Sequence, residues 1–220
     1  TGVTPSLQFC APFSLAANIR GIENLIRDIL LAPDFARGLF DAIVEEVLAP
    51  WILYQKKYFP HVKSIGGSDA FASLPIINMK IFEEWVLPYI LRLREICGPE
   101  VYVPNWVGEK RLKKPEDMLA LKLQVSPSFL EGQDPDVAAL GPEFYKAYAE
   151  KNDIPLVLGV GASFMDTSTA EEVYQRVKHY VEVGKKKGRF ALYLCNLSAE
   201  TPPENVRAAI KAIHKYGQYE

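Results

Sequence analysis

The segment Arg189-Phe-Ala-Leu-Tyr-Leu-Cys195-Asn-Leu-Ser-Ala-Glu-Thr201-Pro-Pro-Glu204-Asn205-Val206 constrains the fold more than any other part of the chain. It reads as a short apolar run, a polar turn holding a cysteine, and a marked helix start. Thr201 is a natural N-cap, Pro202 suits the first helical position because its missing N–H is needed by nobody, and Glu204 can close a capping box. The same order recurs upstream. There the apolar run from Ile154 to Gly161 precedes Asp166 to Glu171, with a Ser-x-x-Glu box starting at Ser168. Strands alternating with helices of this length predict a parallel sheet, and repeated this often they predict a β/α barrel whose chemistry sits where strands end. Cys195 occupies such an end.

Composition narrows the classes. With 220 residues, 49% apolar and 24% charged, the chain is predicted to form one domain, 1–220, with a full core. A formal net charge of −2 gives no electrostatic reason to expect nucleic acid or an anionic membrane surface as partner. No apolar run reaches membrane-spanning length and no signal peptide opens the chain, so no membrane partner is expected. Cys10, Cys97 and Cys195 are widely spaced and odd in number, which suits free thiols in a reducing compartment and points to the cytoplasm.

Along the chain, Thr4 to Cys10 reads as a strand stopped by Pro12, and Ile22 to Ala32 as a short helix. Asp34 is expected to cap a longer helix in which Phe40, Ile43, Val47, Trp51, Tyr54 and Tyr58 form the stripe packed on the sheet, with a kink at Pro50. A short strand reaches Gly66-Gly67-Ser68-Asp69. A helix over Ile77–Cys97 contains Pro88, a strand follows over Val101–Gly108, and a helix over Pro115–Leu123. Gln124 to Gln133 is the least legible stretch, because the repeat requires a strand there while Pro127 opposes one. Short helices open at Asp134-Pro135 and Gly141-Pro142, and Gly217 ends the last helix. The count is about six strand–helix units against about eight in a barrel. The missing units are expected at the N-terminus, supplied by an N-terminal piece or by another chain, since the first strand would otherwise be a bare edge.

Three segments carry a resemblance: Ala11-Pro12-Phe13-Ser14-Leu15 with Gly21 following, Ile81-Phe-Glu-Glu-Trp85-Val-Leu-Pro88-Tyr89, and Thr201-Pro-Pro-Glu204-Asn205-Val206. The chain resembles the uroporphyrinogen decarboxylase superfamily over nearly its whole length. That superfamily also contains the coenzyme M methyltransferases and related corrinoid-dependent enzymes. The resemblance implies an α/β fold, a TIM-like (β/α)8 barrel of which this chain supplies about strands three to eight. Where the decarboxylases carry a tyrosine after the Pro-aromatic turn, the chain has Asn18. Where they carry a histidine after the last strand, it has Leu194-Cys195-Asn196. Of the methyltransferases' zinc ligands, the His-x-Cys pair is replaced by Asn105-x-Val107, and Cys195 falls on the third position.

The first reading is therefore a methyltransferase that moves a methyl group between a small-molecule substrate and a corrinoid carried by a partner protein. Cys195 is the candidate catalytic thiol and candidate zinc ligand, since thiolate is the form that binds zinc; its other role is that of a small buried hydrophobe. Asp69 is the second candidate catalytic residue, projecting into the barrel mouth, or else capping a local turn. Phe9, Phe13, Asn105, Trp106, Ser163 and Asn196 are assigned to substrate binding, with Trp106 as aromatic wall or plain core. Glu131, Asp134 and Asp136 are caps or rim carboxylates; the three histidines are poor ligand candidates, His179 and His214 reading as solvated helix surface and His61 lying before a strand at the end opposite the expected site. The alternatives are a uroporphyrinogen decarboxylase and a non-catalytic ligand-binding barrel.

Overall fold

The computed structural model describes residues 6–218. Among the described residues six strands alternate with helices and pair in parallel, as the recurring strand–loop–helix order predicts. The chain divides into two compact units. The first runs to Arg111 and includes Asp117–Ser126; the second comprises Leu112–Glu116 and Pro127 onward.

The first unit holds β1 (Leu7–Cys10), β2 (Ile65–Ser68) and β3 (Val101–Tyr102), in the order β1-β2-β3. The part of the expected first strand before Ser6 lies outside the described residues. β3 stops after two residues instead of reaching Gly108; Pro104, with no N–H to donate, cannot extend the ladder. The helices are α1 (Pro12–Arg20), α2 (Ile22–Leu31), α3 (Pro33–Ala42), a π-helical stretch Ile43–Leu48, α4 (Ala49–Tyr58), α5 (Met79–Trp85) and α6 (Leu87–Cys97), with α7 (Pro115–Val125) following.

Two expectations about the helices are corrected. Asp34 does not cap α3, which starts one residue earlier on Pro33, whose fixed φ suits a first turn. The predicted stripe is also displaced. Phe40 and Ile43 are buried as expected, but Val47, Trp51, Tyr54 and Tyr58 stand half exposed, and Leu48 and Ile52 are buried in place of Val47 and Trp51. The cause is the π-helical stretch before Pro50, which adds a residue to the turn and moves the core-facing positions one place along the sequence. The single helix expected over Ile77–Cys97 is two, broken at Val86 ahead of Pro88. Asn78 caps the first of them by accepting the Ile81 N–H at 2.9 Å.

The second unit holds β4 (Leu130–Gln133), β5 (Leu156–Val160) and β6 (Phe190–Leu194), in the order β4-β5-β6. Pro127 precedes β4 and so costs it no ladder bond. The helices are α8 (Asp136–Leu140), α9 (Pro142–Lys151), α10 (Ala162–Thr167), α11 (Ala170–Gly184) and α12 (Pro203–Tyr216). Of the two expected capping boxes, one shifts by a residue and the other does not form. The box of α11 is Thr169 with Glu172, one residue beyond Ser168 and Glu171. α12 begins on Pro203, because a residue before proline avoids the helical region and Pro202 must stay outside. Thr201 is thereby freed from capping and instead accepts the Ser198 N–H at 3.0 Å and donates to Asp166. Asn205 sends its amide back to the carbonyls of Met165 and Ser168, at 2.8 and 2.7 Å, fastening α12 to the end of α10.

Candidate functional site

Parallel register puts paired residues on the same face of a sheet, and side chains alternate between faces along each strand. In the second unit Gln133, Gly159 and Tyr193 are paired across the three strands. Two residues from these lie Glu131 on β4 and Cys195 just past β6, so one sheet face collects a carboxylate, an amide, a phenol and a thiol. The opposite face is apolar, with Leu130, Leu156, Leu158 and Val160 buried. The phenol of Tyr193 donates to Glu131 at 2.7 Å and lies 3.3 Å from Gln133 Oε1. The Cys195 thiol points at the same Gln133 oxygen at 3.4 Å. Gly159 makes this possible, since a Cβ there would stand 2.7 Å from Tyr193 Cζ and 2.8 Å from Cys195 Sγ.

Burial pushes the Cys195 thiol up to about 11, with the Tyr193 hydrogen bond pulling the other way and the charges of Glu131 and Asp134 adding to the rise. Burial and the Glu131 carboxylate likewise hold Tyr193 as the neutral phenol. Cys195 is therefore a thiol at neutral pH in this protein, and its backbone N–H extends the ladder to Val160 at 2.9 Å. Asn196, next in the chain, turns at φ 41°, a left-handed conformation that asparagine tolerates better than most residues. Asn196 and Ser163, the latter in the first turn of α10, are exposed. Asp134, read from the sequence as a cap or a rim carboxylate, is neither exposed nor idle. It accepts the N–H groups of Gly161 and Ala138, both at 3.1 Å, Arg176 at 3.0 Å and the Tyr180 phenol at 2.5 Å. It thus ties the ends of β4 and β5 to α11.

The first unit repeats the transverse row: Gln8, Gly66 and Tyr102 are paired across β1, β2 and β3. A Cβ on Gly66 would meet Tyr102 Oη at 3.0 Å and Gln8 Nε2 at 3.3 Å. At the end of β2 the Asp69 carboxylate is wholly buried and accepts the Ser14 N–H at 2.8 Å and the Trp106 indole N–H at 3.3 Å. Burial raises its pKa to about 6, against the lowering effect of those hydrogen bonds. Asn105 braces the same corner, taking the Asp69 N–H on Oδ1 and donating from Nδ2 to Ser68 Oγ, both at 3.1 Å. Ser14 returns a contact by accepting the Phe71 N–H at 3.1 Å.

These geometries correct the expected projection of Asp69 into a mouth, since its carboxylate is turned into the core of its unit. They also resolve Trp106 and Phe13 as core. Both are wholly buried; Trp106 meets Phe82 edge-on at 4.6 Å and Phe13 lies 5.9 Å from Phe40. Phe9 is buried over Gly67. Asn105 is half-buried. Asp69, Asn105 and Trp106 share one corner of the first unit, while Cys195, Asn196 and Ser163 belong to the second. The three histidines are exposed. Among the described residues no three His, Cys, Asp or Glu side chains come together as a metal-holding group, and no helix is long and apolar enough to cross a membrane. The residues missed in the sequence are Gln133, Tyr193, Arg176 and Tyr180. The first two carried a signal, since Glu131/Gln133 and Tyr193/Cys195 are polar pairs two apart within otherwise apolar strands.

Comparison with known proteins adds three findings. The family model described as Uroporphyrinogen decarboxylase (URO-D) matches residues 8–216. A methylated-thiol–coenzyme M methyltransferase of Methanosarcina mazei is 28% identical over 204 residues, covering 92% of this chain and 50% of the relative, so the chain spans about half the length of the curated relative it matches. A solved structure, a methyltransferase from Methanosarcina mazei, superimposes with a TM-score of 0.73 at 14% identity over 99% of this chain and 60% of the other. That likeness shows the fold, an α/β one of the TIM-like barrel class, represented here by six β/α units.

Proposed function

The chain belongs to the uroporphyrinogen decarboxylase family, and we propose that it serves a methyl transfer between a small-molecule substrate and a corrinoid held by a partner protein. The observation that carries this reading is the thiol of Cys195 at the end of β6, seated over Gly159 and aimed at Gln133 beside the Tyr193 phenol. The relatedness to a methyltransferase acting on methylated thiols supports it. In this reading the polar face of β4–β6 receives the atom that bears or accepts the methyl group. Gln133 and Tyr193 orient that atom by hydrogen bonding, and Cys195 contributes a soft sulfur contact. The corrinoid, when bound to its own protein, supplies the cobalt that exchanges the methyl group. The remaining β/α units of the barrel come from an N-terminal piece or another chain. Cys195 supplies one donor for zinc, but the described residues do not provide the set of three that would hold the ion, so no step is assigned to it.

A second reading, a ligand-binding barrel without catalysis, is favoured by one observation: both candidate catalytic groups are buried, Asp69 wholly and Cys195 at 5% exposure. Incubating the protein with methylcobalamin and a small thiol, and following the loss of the methylcobalamin spectrum, separates the two. Turnover that falls at least tenfold in Cys195→Ala supports methyl transfer. Binding of methylcobalamin without turnover supports the second reading, and neither binding nor turnover overturns both.

A further inference from the structure

A cavity of about 360 Å³ opens at the N-terminal ends of β5 and β6, between the end of α9 and the turn from α11 to β6. Both walls attach to the start of β5: the Ile154 N–H donates to Ala149 O at 3.1 Å and the Leu156 N–H to Arg189 O at 2.9 Å. Since β5 is the middle strand of its sheet, the cavity does not lie at an open sheet edge. Three cations line it, Lys146, Lys187 and Arg189, against two carboxylates, Glu150 and Asp153, so one positive charge is in excess. Cys195 stands at the other end of β6, about 20 Å along the strand from Arg189.

The backbone of this corner is strained. Among the described residues four non-glycine residues are left-handed, and three of them, Asp153 at φ 53°, Lys187 at 59° and Arg189 at 54°, line this cavity. Gly188, between the two cations, is left-handed too, at 76°. Strain of this kind collects at binding sites, where the surrounding structure over-determines it. Here it sets two cations on one tight turn, closed by the Gly188 N–H on Lys185 O at 2.9 Å.

Lys146 is at 8% exposure and poorly served. An ammonium carries three N–H donors, and its contacts are Gly188 O at 3.4 Å and Glu150 Oε1 at 3.7 Å. Burial holds its pKa below the ordinary ammonium range; Glu150 pulls the other way, and Lys187 and Arg189 add to the lowering, so the three cations share one field. The pairs of Lys187 with Glu150 and of Arg189 with Asp153 face solvent. Such pairs are worth little, so both cations can leave them for a ligand at small cost. A carboxylate offers two oxygens to three cations, whereas a phosphate group offers each cation an oxygen of its own.

We propose that this cavity binds the phosphate group of a small molecule through Lys146, Lys187 and Arg189. The inference is independent of the methyl-transfer reading. Phosphorus NMR of inorganic phosphate, titrated with the 220-residue chain, tests it. Line broadening at millimolar phosphate, persisting against chloride at matched ionic strength, is the expected result. Lys187→Gly and Arg189→Gly each remove a cation where glycine adopts the left-handed backbone without strain, and circular dichroism checks that the fold is kept. Each is expected to weaken phosphate about fivefold, and Lys146→Met more than about tenfold. Glu150→Gln removes the carboxylate that competes for Lys146 and Lys187 and is expected to tighten binding about threefold. Glycerol phosphate binding more tightly than inorganic phosphate supports the site with an ester as its occupant, and the reverse order supports it with the free ion. Absence of binding at millimolar phosphate overturns the proposal. So does binding that survives both glycine variants unchanged, or that Glu150→Gln weakens.

Discussion

The carboxylate of Asp69 accepts the backbone N–H of Ser14, 55 residues away, at 2.8 Å. Ser14 lies in the first turn of α1, whose own N-cap, Ala11, has no side chain able to do this. Asp69 is thus the N-terminal cap of a helix from another β/α unit, supplying both the acceptor and the negative charge that a helix start favours. Trp106 donates its indole N–H to the carboxylate's other oxygen, so one buried group joins the ends of β1, β2 and β3.

Asp69 makes stability depend on pH. Its pKa is raised in the folded protein to about 6 from 3.8, so the folded state binds the proton more tightly than the unfolded chain does. The contribution is fully present below about pH 3.8 and is lost as pH rises through about 6, for a total of about 3 kcal/mol. Denaturant titrations of the parent and of Asp69→Asn at pH 4 and pH 7 check this. The Asn variant is expected to lack the slope while losing about 1–2 kcal/mol at pH 4, where its amide N–H₂ or oxygen must mismatch one of the two donors. Parallel pH profiles for the two proteins would refute it.

Gly159→Ala is expected to disturb the polar face of β4–β6 directly. The added Cβ falls 2.7–2.8 Å from Tyr193 and Cys195, so both side chains must move. Overpacking of this kind costs about 1–3 kcal/mol. Alkylation of Cys195 by iodoacetamide at neutral pH, slow in the parent because burial keeps the group a thiol, should quicken as the site opens. An unchanged rate with unchanged stability would mean that the face tolerates the methyl group.

Asn205→Ala removes two hydrogen bonds and leaves the carbonyls of Met165 and Ser168 to find other partners. A loss of about 2–3 kcal/mol is expected. Glu204→Ala, at the position read from the sequence as part of a capping box, is expected to cost less than half as much, because Pro202 caps α12 without a side chain. Chemical denaturation of both variants gives the comparison, and equal losses would contradict it.

Lys122 and Glu109 form a salt bridge at 2% and 1% side-chain exposure. Lys122→Met leaves the Glu109 charge buried without this partner and is expected to cost about 3–5 kcal/mol, whereas Lys122→Met with Glu109→Gln should recover most of the loss. Thermal melts of the single and double variants measure the coupling. A double variant as damaged as the single would show that the pair is held for reasons other than charge.

The repeating order of strand, turn and helix was legible because each link in it is local: apolar runs, proline positions and polar caps lie within a few residues of one another. What failed was phase. A single π-helical turn before Pro50 moved the buried positions from Val47 and Trp51 to Leu48 and Ile52, and a proline pair moved the start of α12 by one residue. Periodicity counts residues and has no way to register one added to a turn.

The sequence by itself determined that the strands would be parallel, that helices would separate them, and that Cys195 and Asp69 would stand at strand ends, since these follow from near neighbours in the chain. Only the tertiary structure decided what those two groups do there. Asp69 could reach outward or cap a helix, and its choice of Ser14 and Trp106 depends on β1, β2 and the segment after β3 being brought side by side. The setting of Cys195 among Gln133, Tyr193 and Gly159 depends in the same way on the register of three strands separated by whole helices. Hydrogen bonds and burial act over a few ångströms, and no local pattern records which distant residues the fold will bring within that range.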